Sequence, residues 1–75
     1  MVLHIQVDPN YYIATLRSST DMIDFKTITR DNGVQIRIAK FTDGSLKVQS
    51  ILFPKEKYSS SSANITANLL ETFWI

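Results

Sequence analysis

The chain holds two glycines, and each follows an Asn or Asp between two alternating runs, at Asn32-Gly33 and Asp43-Gly44. Such a step supplies the positive φ angles of a tight hairpin. In residues 22–30, Ile23, Phe25, Thr27 and Thr29 fall on one side and Asp24, Lys26, Ile28 and Arg30 on the other. In residues 34–41, Val34, Ile36 and Ile38 oppose Gln35, Arg37 and Ala39. In residues 45–53, Leu46, Val48 and Leu52 oppose Lys47, Gln49 and Ile51. Alternation with period 2 is the pattern of a strand with one buried face. Three strands joined by two tight turns predict an antiparallel meander.

A further strand precedes it. Leu3, Ile5 and Val7 alternate with His4, Gln6 and Asp8, and Pro9-Asn10 ends the run. Tyr11 to Leu16 fits either a short helix with Ile13 and Leu16 inward or a strand, and the β propensity of Tyr-Tyr-Ile favours the strand. Pro54 stops the sheet, and four serines, Ser59 to Ser62, lead into a periodic segment. Serine is a preferred helix N-cap. Ile65, Leu69 and Phe73 recur at i, i+4 and i+8, widened by Ala63, Ala67, Leu70 and Trp74. This predicts an amphipathic helix lying across the apolar face of the sheet. The expected fold is α+β: an antiparallel four- to five-stranded meander sheet packed by one C-terminal amphipathic helix. Ile36, Ile38, Leu46, Val48, Ile65, Leu69 and Phe73 are the expected core.

Seventy-five residues make one domain, 1–75, which buries only about 60% of its unfolded surface. Without cysteine, no disulfide or thiolate zinc site supplements that core. A homodimer, or a place as a subunit of a complex, is the expected compensation. The apolar ending Phe73-Trp74-Ile75 points the same way, as a segment docked into the core or onto a partner. The segment before Asp8 lacks the basic region of a signal peptide, and no apolar run approaches a membrane span, so the expected setting is cytoplasmic, with no membrane partner.

The search for catalytic residues finds none. His4 is the single histidine and sits on the polar side of its strand. Five of the seven acids, Asp8, Asp21, Asp24, Asp31 and Asp43, lie in or beside turns, where Asp bonds its own backbone. Both glycines are used in hairpins, which leaves none for a phosphate-cradling loop. The reading is a non-catalytic binding protein with no metal site and no cofactor.

Net charge is +1, which excludes binding by bulk positive charge but leaves room for a local basic patch. The alternation puts Lys26, Arg30, Arg37 and Lys47 on the outward sheet face, with Phe41 and Phe53 toward the strand ends. Cations neutralise phosphates and rings stack bases, so this set predicts single-stranded nucleic-acid binding. The same parity puts Ile28, Ile51, Phe41 and Phe53 outward, and this favours an alternative: a small adaptor or inhibitor that contacts a protein partner through exposed apolar residues or an edge strand.

The order Val34-Gln35-Ile36-Arg37-Ile38-Ala39-Lys40-Phe41, Thr42-Asp43-Gly44, Ile51-Leu52-Phe53-Pro54 and a final helix resembles the positive-cofactor-four family of single-stranded DNA binding coactivators. The resemblance covers about half of the chain and implies a dimer whose curved basic sheet binds unpaired DNA. The family's Lys-Gly-Ile step before the helix is absent, since Gln49-Ser50 precedes Ile51. The end also resembles the small dimeric subunit of the KEOPS tRNA-modifying complex, through Ser61-Ser62, Asn68 and Leu70, although Ala63 and Asn64 stand where that pattern has an Arg.

Overall fold

A computed structural model describes residues 2–30 and 32–74, with helix side chains as far as Leu70. The architecture is α+β, a five-stranded antiparallel sheet against one C-terminal helix. Its elements are β1 (His4–Val7), β2 (Tyr11–Thr15), β3 (Met22–Thr29), β4 (Gln35–Phe41), β5 (Leu46–Pro54) and α1 (Ser60–Trp74). The strand order is β1-β2-β5-β4-β3. The meander β3-β4-β5 is as expected, and the segment open to two readings is a strand, β2. The β1–β2 hairpin joins the meander only along β5, so β1 and β3 are the free edges.

Both Gly hairpins have three-residue loops. Arg30 N–H donates to the Val34 carbonyl (2.8 Å), while Gly33 N–H donates back to the Arg30 carbonyl (2.9 Å). Phe41, Ser45 and Gly44 repeat the pattern at 3.0 and 2.9 Å. Each glycine has φ of +85°, which an L side chain adopts only with strain. The Asx side chain before each glycine braces its turn. Asn32 Oδ1 accepts the Val34 amide (3.1 Å), and Asp43 Oδ1 accepts the Ser45 amide (2.9 Å) and hydroxyl (2.6 Å). A two-residue Asn-Gly loop would pair Thr27 with Ile38. The extra loop residue instead pairs Thr27 with Arg37, Lys26 with Ile38 and Ile28 with Ile36. A shift of one residue turns every side chain of β3 to the other face.

A second parity change lies inside β5. Ile38 opposes Val48, yet Arg37 opposes Ser50, so Gln49 is the extra residue of a β-bulge. The bulge is tied across the sheet: Gln49 Nε2 donates to the Arg17 carbonyl (3.0 Å), Arg17 Nε to the Val48 carbonyl (2.9 Å), and Leu16 N–H to the Gln49 carbonyl (2.9 Å). Val48 therefore faces the helix before the bulge, and Ile51 and Phe53 face it after. Ile51 and Phe53, expected on the outward face, are fully buried in the core (0% exposed). Ile28, also expected outward, shares the helix-side face with its partner Ile36.

Ser59 caps α1. Its Oγ accepts the Ser62 amide (3.1 Å), and Ser62 Oγ accepts the Ser59 amide (2.9 Å), a reciprocal capping box with serine in both places. The face turned to the sheet is narrow and small. Ala63 and Ala67 are buried and Leu70 packs beside them, mainly against β2 and β5. Small side chains let the helix approach closely, and this selects the alanine stripe over the bulkier one. Ile65 and Leu69, expected in the core, are accordingly exposed (61% and 56%), as is Leu46 (69%) at the mouth of the second hairpin, beyond the reach of the helix. Ile36 and Val48 are core residues as expected, and Ile38 packs against them half-buried. The expected packing of Phe73 and of the ending Phe73-Trp74-Ile75 concerns residues outside the described side chains.

Candidate functional site

The altered parities take the expected basic face apart. Cross-strand partners share a face and neighbours along a strand alternate. Lys26, opposite Ile38, stands on the helix side, while Arg37, opposite Thr27, stands on the outer side. Lys47, opposite Ala39, is also on the outer side. Arg30 is exposed at the tip of the first hairpin. Of the four expected phosphate contacts, Arg37 and Lys47 share a face; Lys26 is on the opposite one.

The aromatic pair is divided in the same way. Phe53 is enclosed in the core with its ring 4.9 Å from that of Tyr58 at 59°, so it offers no face to a base. Phe41 is half-buried in a groove of ≈ 500 Å³ shared with Arg17, Lys47, Asp21 and Asp43. Two carboxylates flank the cations there, which opposes a phosphate. The Asp43 carboxyl is held below its ordinary value by the Ser45 hydroxyl first, then by the Ser45 amide, so it carries its charge into mild acid.

The exposed outer-face aromatic is Phe25, on β3 (53% exposed). The Arg37 guanidinium lies over its ring, 5.1 Å from the centroid, a cation–π contact between neighbouring strands. Below it, Arg37 Nε and the hydroxyl of its cross-strand partner Ser50 are both buried, with no hydrogen-bond partner among the described residues. Arg37 is thus an arginine committed to the sheet surface. Sequence reasoning passed over Phe25 because a two-residue loop would have placed it inward.

The β3 edge is the other uncommitted surface. β3 is an eight-residue strand, twice the length of the other edge strand, β1. Ile23 is 60% exposed beside Phe25. The Arg30–Val34 bond and the register turn the backbone groups of residues 24, 26 and 28 toward β4, and those of Phe25, Thr27 and Thr29 outward. Phe25 N–H is consistent with this, donating to Asp24 Oδ1 at 2.8 Å rather than to a strand. Asp24, Lys26, Ile28, Ile38, Lys40 and Leu46, with Phe25, line a groove of ≈ 310 Å³ along the helix-side margin that α1 leaves open.

Among the described residues no three His, Cys, Asp or Glu side chains gather in a metal-binding group, and no helix is long and apolar enough to cross a membrane. No protein-family model, curated protein or solved structure matches the chain.

Proposed function

We propose that this chain is a non-catalytic protein-contact module, an adaptor or inhibitor, that engages its partner by strand addition along the outer edge of β3. The observation that carries the reading is an eight-residue edge strand with Ile23 and Phe25 exposed and the backbone groups of Phe25, Thr27 and Thr29 directed away from the sheet. Edge strands are ordinarily short, proline-bearing or covered, because their free N–H and C=O groups template pairing with another chain. An added strand gains affinity from those main-chain groups and specificity from side-chain pockets beside them. The groove along Lys26, Ile28 and Leu46 supplies such a pocket. The nucleic-acid reading has less support, since of its four expected cations Lys26 lies on the face opposite Arg37 and Lys47, and Phe53 is enclosed.

Thr27→Pro is the direct test. Thr27 N–H faces outward, so proline removes no bond within the sheet yet blocks an incoming strand. Immobilised wild-type chain should retain a defined protein from nuclease-treated extract, and the Thr27→Pro chain should lose it while keeping its circular dichroism spectrum. Retention that is unchanged in Thr27→Pro, or tight binding of labelled oligothymidylate that survives moderate salt, would overturn the reading.

A further inference from the structure

We infer that the strand received by β3 is β3 of a second copy of this chain, paired antiparallel about a two-fold axis at Phe25. This rests on the contact-edge reading above and names its partner. The charges of β3 carry it. Antiparallel self-pairing places residue i opposite residue j with i + j constant. With Phe25 opposite Phe25, Asp24 stands opposite Lys26 of the second copy, Lys26 opposite its Asp24, and Ile23 opposite its Thr27. Each copy contributes one acid and one base, and the two-fold axis brings them together twice.

Two observations agree with that register. Phe25 has its backbone groups outward, so the axis passes through a pair that exchanges both main-chain hydrogen bonds, and Phe25 N–H leaves Asp24 Oδ1 for the opposite carbonyl. Asp24 and Lys26 then form a non-hydrogen-bonded pair, the kind in which side chains approach most closely. Asp24 already opposes Lys40 within its own sheet, and Lys26 opposes Ile38. The joined sheet carries a row Lys40, Asp24, Lys26 of the second copy, Ile38 of the second copy, and no like charges are adjacent. On the outer face the two Phe25 rings meet, each still covered by its Arg37. The contact is short, since the bulge between Met22 and Asp24 ends regular pairing at Ile23. It therefore forms a reversible dimer rather than an obligate one.

Sedimentation equilibrium over a micromolar to millimolar series tests this with a charge swap. Asp24→Lys places like charges opposite one another at both pairs, and so does Lys26→Asp. Each variant alone should self-associate at least about tenfold more weakly than wild type. An equimolar mixture of the two should associate as heterodimer with wild-type strength, because each acid again meets a base. Circular dichroism confirms that the variants are folded. Single variants that dimerise as well as wild type, or a mixture no tighter than its components, would overturn the register and the proposal. A wild-type chain that stays monomeric throughout would also overturn it. The contact-edge reading would then stand if Thr27→Pro still abolished capture of a different protein, and fall if it did not.

Discussion

Truncating Phe53 tests the parity of β5, on which the core and the dismantled basic face both depend. The Phe53 side chain is fully enclosed and touches Tyr58. A phenylalanine buries about 150–250 Å², and at about 25 cal/mol per Å² its transfer is worth about 4–6 kcal/mol. Phe→Ala truncations in cores cost about 3–5 kcal/mol. A chain of this size has about 4–11 kcal/mol of total stability, so Phe53→Ala would remove from about a third to all of it. Phe53→Leu is the better probe, at about 1–2 kcal/mol. Leu69→Ala is the comparison: more than half exposed on α1, it should stay within about 0.5 kcal/mol of wild type. Urea unfolding followed by circular dichroism, with a slope of about 1 kcal/mol per molar, would place the Phe53→Leu midpoint about 1–2 M below wild type and leave that of Leu69→Ala nearly unmoved. Repeating the curves at two protein concentrations separates folding from association. If Phe53→Leu leaves the midpoint nearly unmoved, the bulge has been placed wrongly and the outward assignment of Phe53 returns; if Leu69→Ala lowers it as far as Phe53→Leu does, the buried face of α1 has been placed wrongly.

Ser50→Ala should leave stability unchanged or raise it by up to about 1 kcal/mol, because it deletes a buried hydroxyl that has no partner among the described residues; a clear loss in the same urea assay would mean that Ser50 makes a hydrogen bond. Gly44→Ala should cost about 1–2 kcal/mol for the left-handed backbone alone. Gly33→Ala should cost more, since its Cβ would also sit 3.3 Å from Pro54 Cγ, and equal thermal shifts for the two would refute the contact. The Asp43 carboxyl is depressed in the folded state, so its contribution to stability is present above pH 3.8 and lost as pH falls below that through the native value. Carboxyl NMR titration should place Asp43 below 3.8, and Asp43→Asn should lose its stability deficit relative to wild type over the same acid range; a deficit constant with pH would contradict the Ser45 bonds.

The elements were legible because each rests on local chemistry. Alternation marked β3, β4 and β5, the Asn-Gly and Asp-Gly steps marked the hairpins, and serine followed by a 3.6-residue repeat marked α1. What the sequence did not disclose is phase. The same Asn-Gly step serves two- and three-residue loops, and one residue of loop length decides whether Lys26 or Thr27 accompanies Arg37. The bulge at Gln49 is held by Arg17, which is 32 residues away. No window of the sequence around Gln49 reveals such a bond. On α1, hydrophobicity favoured Ile65 and Leu69, whereas close approach to the sheet favoured Ala63 and Ala67. The expected site divides at the same points, since Phe53 and Lys26 were assigned by phase alone.

The strand order has a kinetic consequence. The β1–β2 hairpin and the β3-β4-β5 meander each close through short turns, so each forms from local contacts. They meet along a single seam, β2 against β5, where Ala14 opposes Ile51. That seam brings together residues far apart in the chain and bears the loop-closure entropy. Helix α1 makes its main contacts with β2 and β5, so it clamps the seam. This topology predicts that the two pieces form first and that their docking limits the folding rate. Substitutions in the turns alter how fast each piece appears. Substitutions at Ala14, Ile51 and Ala67, which hold the seam shut, govern whether the pieces stay together.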